Sequence, residues 1–590
     1  MRQVHCRALY QGLTSVTPKP GRFFPKNKER GAAAASTLEV HGYNVGTVAD
    51  RFRFRNTDTI GVADAESDHA FLHDCFVDDG IVDLLLDCDD HRRIVLGRTG
   101  AGKTALLNKL VERASTAITV QPESLALAYI SNSTILRFVH ELGVNLDVFF
   151  RLLWRHVFTV EIIKAHFHLD SARGSESVLD WIRGQFSDKK RQHEKALAYL
   201  ETWGSTFWEQ TDYRIEELTT KLERDLKASI GGALQIANFD ISGDQKLSQE
   251  QKAKVVERAM FVVNQVQIQE LSYVLELLDS ILEDPQKRYY IVIDRLDEKW
   301  VEEGLRYLLI RALIETVRDF RRVRNAKIVI SLRYDLIDRV VRMSRDVGFQ
   351  EEKYESLYFD LSWRREQLVD LLDLRINRLV KQRYTKQVVT HKDLLPKFID
   401  KIPAIDYILA RTLMRPRDVI LFFNACIRQA SNNPEITPQM LKQAEGEYSR
   451  LRLRSLADEW NADFPDLMLC SDLLKNRPST FALTDITDDE CIDLTIKLLG
   501  QKSQRGSEFA DILGDIEKDP SKTDSLRKIL ASMFYRVGLV GLKLEAYDSF
   551  VWSTGGRRSV SAAEIQAGVH LSVHPCFWRS LGINPEASKA

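Results

Sequence analysis

The run Gly97-Arg98-Thr99-Gly100-Ala101-Gly102-Lys103-Thr104 fits G-x-x-x-x-G-K-[ST], in the setting that gives the pattern meaning. Before it, Ile94-Val95-Leu96 is a short apolar run that ends at glycine, and after it Ala105 to Leu110 has helical composition. Strand, glycine-rich turn and helix follow in order, which commits this part of the chain to a parallel α/β core. Here the glycines let backbone N–H groups turn inward around a phosphate, and the helix N-terminus adds its partial positive charge. Lys103 would reach the β- and γ-phosphates of a nucleotide, and the Thr104 hydroxyl would ligate Mg²⁺. Gly97, Arg98, Thr99, Gly100, Ala101, Gly102, Lys103 and Thr104 are therefore the expected nucleotide-binding residues.

Further buried strands are expected downstream. Tyr290 to Ile293 is continuously apolar and ends in Asp294-Arg295-Leu296-Asp297-Glu298. Asp294, at the strand end, is expected to hold Mg²⁺, while a second carboxylate orients or deprotonates the attacking water. Position 295 is Arg, so that second acid is either Asp297 or Glu298. Ile328 to Ile330 leads into Ser331-Leu332-Arg333, and Arg333 at this strand end is expected to contact the γ-phosphate. A weaker strand at Ala117 to Val120 and another at Leu357 to Leu361 complete a five-stranded parallel core. No N-K-x-D or T-K-x-D guanine-reading motif occurs, which favours ATP over GTP. Ile241-Ser242-Gly243-Asp244-Gln245 imitates a transporter signature but lies too far before Asp294 and reads as a turn between helices.

A chain of 590 residues exceeds one simple core, and 44% hydrophobic with 28% charged residues suits a folded multidomain protein. The expected organisation is a disordered basic leader (1–56), a P-loop core (57–121 and 285–362), a helical insertion (122–284), a helical lid (363–452) and a winged-helix-like C-terminal domain (453–590). Residues 1–55 carry ten Lys and Arg against three Asp and Glu, so only the leader is basic. In the insertion, Ile215, Leu218, Leu222 and Leu226, and Leu271 to Leu282, recur at helical spacing, which predicts a separate lobe carrying specificity. Helical patterns at Glu366 to Leu379, Arg411 to Ala430 and Thr437 to Leu451 make the lid, and the polar stretch Gly500 to Ser525 reads as a linker. The C-terminal order is helix (Leu526 to Val537), strand (Ser549 to Trp552), Gly555-Gly556-Arg557-Arg558 turn, helix-like Ala562 to Ala567, and strand Val569 to Val573. Seven scattered cysteines without a C-x-x-C pair read as reduced thiols. No apolar stretch approaches the roughly 18 residues that span a bilayer, so the expectation is a cytoplasmic protein without membrane contact.

GRTGAGKT, IVIDRLDE and IVISLRYD together resemble the AAA+ and STAND divisions of P-loop ATPases, over residues 57–121 and 285–450. The D-x-x-D-E ending and the S-L-R strand are most similar to the STAND and NACHT type. Ile60 to Asp68, Arg415-Pro416-Arg417-Asp418 and Val573 to Trp578 resemble a group of stand-alone bacterial P-loop ATPases whose relatives are often encoded in mobile defence islands. The resemblance implies ATP and Mg²⁺ as ligands, and Arg415 or Arg417 as a lid arginine that senses nucleotide. It also implies that Arg339, Arg342 or Arg345 serves as a finger to a neighbouring subunit, if these are not simply one solvated helix face. The large insertion departs from the AAA+ pattern, and no effector motif or sensing repeat array is visible. His69 and His73, spaced i, i+4, read as ordinary helix packing before they read as zinc ligands.

The leading expectation is a Mg-dependent ATP-binding and hydrolysing switch or motor that couples nucleotide state to self-association or to a protein partner, with anti-phage defence as the role the resemblance implies. The alternative is a nucleic-acid-binding, initiator-like ATPase that engages DNA through its C-terminal winged helix, with Arg557 and Arg558 as its basic feature. A small-molecule kinase is disfavoured by the Asp294, Asp297 and Glu298 cluster.

Overall fold

The apolar runs on either side of the glycine turn assemble into one sheet. The computed structural model describes residues 52–123, 146–168, 195–196, 198–199, 220, 268–301, 303–343, 350–383, 387–501, 507–545, 547–553 and 560–585. Residues 1–51 of the expected leader, the Ile241–Gln245 turn, most of the 215–226 helix, Arg345 and the Gly555–Arg558 turn lie outside these residues, whereas Phe52 and Phe54, at the expected end of the leader, are buried in a hydrophobic core. The sheet strands are β1 (Ile94–Leu96), β2 (Thr116–Val120), β3 (Tyr289–Ile293), β4 (Ala326–Leu332) and β5 (Tyr358–Asp360). Their order is β2-β3-β4-β1-β5 and every neighbouring pair is parallel. The chain is thus an α/β protein built on a five-stranded parallel sheet. All five expected strands are present; β3 and β4 are buried along their whole length, as a sheet covered on both faces requires.

Strand order positions everything that follows. From β1 the chain goes out to the β2 edge, returns through β3 and β4, and places β5 on the other side of β1. Parallel sheets leave a crevice at the carboxyl ends of their strands where the order reverses in this way. Because β4 lies between β1 and β3, the glycine turn after β1, Ser331 on β4 and Asp294 after β3 come side by side.

One face of the sheet packs against the helices Asp147–His166, Ile268–Ile281 and Glu303–Asp319, in a core that includes Ile94, Ile291 and Ile328. Val95, Val292 and Val329 face the other way, onto the helices Ile81–Leu86 and Lys103–Arg113. The first of these cores changes the reading of the insertion. Its two flanking helices are not part of a separate lobe but are built onto the sheet. Phe150, Trp154, Phe158 and Ile162 are fully buried, and the Trp154 indole donates to the Leu309 carbonyl at 2.9 Å. A helix this apolar, with several buried aromatics, cannot stand in water alone.

The lid helices are Arg365–Arg383, Ala404–Ala410, Pro416–Gln429 and Pro438–Glu459, with a short hairpin of β6 (Phe398–Ile399) and β7 (Ile402–Pro403) between the first two. Thr437 caps the last helix by accepting from the Met440 amide at 3.3 Å. Beyond it, β8 (Thr480–Ala482), β9 (Val540–Lys543) and β10 (His570–Val573) form an antiparallel sheet in the order β8-β10-β9 beside the helices Asp488–Leu499, Ser507–Lys518 and Thr523–Val537. Lid and C-terminal segment share one continuous hydrophobic core. No helix among the described residues is long and apolar enough to cross a membrane.

Two C-terminal expectations need correction. The polar stretch 500–525 contains the helix Ser507–Lys518, because Phe509, Leu513 and Ile516 recur at i, i+4 and i+7 within otherwise polar sequence. The strand expected at Ser549–Trp552 is a single bridge between Val551 and Leu542, and the helix expected at 562–567 is one 3-10 turn, Ala562–Glu564. The strand beside β10 is instead β9, whose Gly541 leaves room for the Trp552 ring; a Cβ there would come within 2.6 Å of it.

Candidate functional site

Five consecutive carbonyls of the glycine loop are held by groups from three parts of the chain. Lys103 Nζ donates to the carbonyls of Gly97 (3.1 Å) and Arg98 (3.2 Å), and Arg415 Nη1 donates to that of Thr99 (2.7 Å). The Arg417 amide reaches the Gly100 carbonyl at 3.4 Å, and the Trp363 indole reaches that of Ala101 at 2.7 Å. Gly100 and Gly102 take positive φ values of 78° and 95°, which a side chain would strain. With the carbonyls engaged, the amides of Thr99, Gly100 and Gly102 make no hydrogen bond among the described residues, and the Thr99 hydroxyl is buried without a partner. These donors adjoin the open N-terminus of the helix Lys103–Arg113. The arrangement fits an anion: converging N–H groups, a helix N-terminus and an ammonium group at one turn. Burial pulls the Lys103 ammonium below its usual range, against the opposing pull of Asp297 and Asp294.

Across the turn stands Asp294, directly after β3. Thr104 Oγ1 donates to Asp294 Oδ2 at 2.7 Å, and the Ser331 hydroxyl donates to its other oxygen. A hydroxyl and a carboxylate form the kind of hard-oxygen pair that suits Mg²⁺ when phosphate and water oxygens complete the shell. Among the described residues no group of three or more His, Cys, Asp and Glu could hold a metal by itself. His73 pairs instead with Asp74 at 2.7 Å, on a surface helix.

The remaining expected residues separate by what they touch. Arg333 forks onto Asp335 with two bonds of 2.9 Å, reaches Asp297 at 3.2 Å, and donates to the Glu459 carbonyl at 3.3 Å. Asp297 is therefore tied to Arg333. Glu298 lies 3.7 Å from Arg295, which adopts φ 60° and also pairs with Glu66 across the cleft. Partial burial, with help from neighbouring Glu123, raises the Glu298 carboxyl above its usual range even though Arg295 acts the other way.

The cleft these groups share has a volume of about 270 Å³. It is lined by the polar residues Lys103, Thr104, Asp294, Arg333 and Arg417 along with Gly100, and by the apolar residues Val62, Phe76, Trp363 and Ile420. The two lid arginines thus part company. Arg417 lines the cleft, whereas Arg415, 3% exposed, braces the loop from behind between the Thr99 carbonyl and Asp418 at 2.8 Å. Arg98 also leaves the cleft, donating to the Val537 carbonyl at 2.6 Å. Arg339 pairs within the chain with Asp463 (2.5 Å) and the Tyr307 hydroxyl, and Arg342 lies 3.6 Å from the same aspartate, so Arg339 is not a free finger. Ser331, Trp363 and Glu66 went unmarked in the sequence reading. Only Ser331 left a signal there, as a polar residue next to the apolar run near the end of β4.

Comparison with known proteins adds two findings. Residues 366–457 match the family described as a FunZ-associated C-terminal helical domain, which coincides with most of the lid. The chain is distantly similar to an Escherichia coli (strain K12) protein named "Putative transposon gamma-delta 80.3 kDa protein", 23% identical over 551 residues, or 89% of this chain and 67% of that protein.

Proposed function

We propose that this chain is a Mg-dependent ATP-binding and hydrolysing switch of the P-loop type, coupling nucleotide state to a partner. The observation that carries the reading is the Thr104–Asp294 hydrogen bond beside a turn whose Gly97 to Ala101 carbonyls are engaged and whose Thr99, Gly100 and Gly102 amides are open among the described residues. Lys103 and the loop amides would hold the β- and γ-phosphates, with Thr104 and Asp294 as the residues facing Mg²⁺, which supplies charge neutralisation on the phosphates when bound. Glu298 or Asp297 would orient or deprotonate water, and Arg333 would stabilise charge on the γ-phosphate. The apolar side chains that line the cleft suit a purine base, and Arg417 lines the same cleft. Phosphate release from ATP with no added acceptor tests this directly. A purified chain that hydrolyses ATP, and loses the activity in Lys103→Ala, bears it out; equal rates in both overturn it.

A second reading is DNA engagement through the C-terminal segment. What supports this reading is the placing of three helices beside the three-stranded sheet β8-β10-β9, together with the transposon in the name of the similar E. coli protein. That name also accords with the association with mobile defence islands that the resemblance implies. A salt titration of duplex binding by the full chain decides it: phosphate contacts give a steep loss of affinity with salt, and no binding at low salt removes the reading.

A further inference from the structure

The loop residue Arg98 does not line the cleft. Its guanidinium passes out of the sheet domain and lies against the end of the helix Thr523–Val537. There Nη2 donates to the Val537 carbonyl, one of the last carbonyls of that helix, where the helix dipole concentrates partial negative charge. The following residue, Gly538, has φ 87°, and a Cβ on it would come within 2.8 Å of Arg98 Nη1. Glycine is thus required at 538 on two counts, backbone angle and room for the arginine.

The two ends of Arg98 are under different control. Its carbonyl is one of the two that Lys103 Nζ holds, at 3.2 Å, and Lys103 is the residue expected to meet phosphate. Its side chain is 9% exposed, and Nη1 has no partner among the described residues. Glu459 stands nearby, also close to Arg415 at 3.8 Å, and its own carbonyl accepts from Arg333. Glu459 is held below the usual carboxylate range: burial would raise it, but Arg415, Arg98, Arg333 and Arg452 outweigh burial. Loop, sensor, lid and C-terminal helix therefore meet within one buried charged group.

Resting on the phosphate-loop reading, we infer that Arg98 is the positioning residue through which phosphate occupancy of the loop is transmitted to the C-terminal segment. When Lys103 also engages a phosphate its hold on the Arg98 carbonyl weakens, and the Arg98 bond to Val537 loosens. The signal runs from phosphate to Lys103, to the Arg98 backbone, to its side chain, and to the end of the helix that precedes β9. Coupling of this kind is reciprocal: if ATP loosens the contact, breaking the contact must tighten ATP binding by the same factor.

Hydrogen exchange on the full chain, with and without ATP and Mg²⁺, reads the first half. The amides of Gly538 and Leu539, which bond to the carbonyls of Tyr535 and Phe534, should exchange about fivefold faster or more with ATP bound. Gly538→Ala, which lies outside the nucleotide cleft, should raise ATP affinity by a comparable factor while these amides lose their response. Arg98→Ala gives an independent view, with fast exchange at 538–539 whether or not ATP is present. If the wild-type chain binds ATP but exchange at 538–539 is unchanged, or if Gly538→Ala keeps both wild-type affinity and the full response, the inference is overturned while the phosphate-loop reading stands. If the wild-type chain binds no nucleotide at all, that reading falls first and takes the inference with it.

Discussion

Thr104 and Asp294 are 190 residues apart in the chain, yet the threonine hydroxyl donates to the aspartate at 2.7 Å across the mouth of one cleft. On the proposed reading the pair marks the metal side of the nucleotide site, with Lys103 on the phosphate side of the same turn. Because Lys103 occupies itself with two loop carbonyls, its removal frees no buried charge and should leave the fold intact. Lys103→Ala is expected to weaken nucleotide binding by about 10- to 100-fold, the range of one charge-assisted contact to phosphate, measured by titration with a fluorescent ATP analogue.

Glu298→Gln or Asp297→Asn should leave binding intact and stop hydrolysis, since a water-orienting carboxylate acts only in the transition state. The acid limb of the hydrolysis rate carries a further sign. A base works only when ionised, and the Glu298 carboxyl titrates above its ordinary 4.5, so activity should begin to fall at a higher pH than an unperturbed glutamate would give. A steady-state pH profile of phosphate release checks this; a limb at or below the ordinary value points to Asp297.

Gly100→Ala is predicted to damage the site without touching any chemical group. The new Cβ would stand 2.7 Å from the Arg417 Cβ at a residue with φ 78°, and left-handed backbone costs a non-glycine roughly 1–2 kcal/mol. Calorimetric titration should show ATP affinity reduced by about tenfold, with the melting temperature lowered only slightly.

Stability should respond most to Asp418, which is fully buried between Arg415 (2.8 Å) and Arg452 (3.2 Å). Asp418→Asn leaves two buried guanidiniums uncompensated and should cost about 3–5 kcal/mol in denaturant unfolding. Burial would raise this carboxyl, but the two arginines hold it at about 2, below its ordinary 3.8. A depressed folded value stabilises above the ordinary value, and that contribution disappears as pH falls through about 2. The wild-type chain should therefore lose stability between about pH 4 and pH 2 more steeply than the variant does.

The sheet was legible because buried parallel strands write themselves as short apolar runs, and all five were found. Gly97–Thr104, Asp294 and Arg333 were legible for a related reason: each sits where such a run stops. Helix faces were harder. The helix Ser507–Lys518 was missed because only Phe509, Leu513 and Ile516 mark it within polar sequence, and β9 because Val540–Lys543 is four residues long with a glycine in it. Long-range contacts left no mark at all. Nothing near Arg98 in sequence announces Val537, and nothing near Trp363 announces Ala101; such pairs exist only once the chain has closed on itself.

The strand order has a consequence for how the chain is made. Ile94 of β1 pairs with Ile330 on one side and Tyr358 on the other, so β1 has neither neighbour when it leaves the ribosome. It must wait, with its apolar edge unsatisfied, through the synthesis of the whole insertion before the sheet can close. Non-local pairing of this kind folds slowly and exposes sticky intermediates on the way. Fragments ending before β4 should accumulate as aggregates or chaperone clients, and the glycine loop can take its shape only near the end of translation, after the distant strands and the C-terminal helix have arrived.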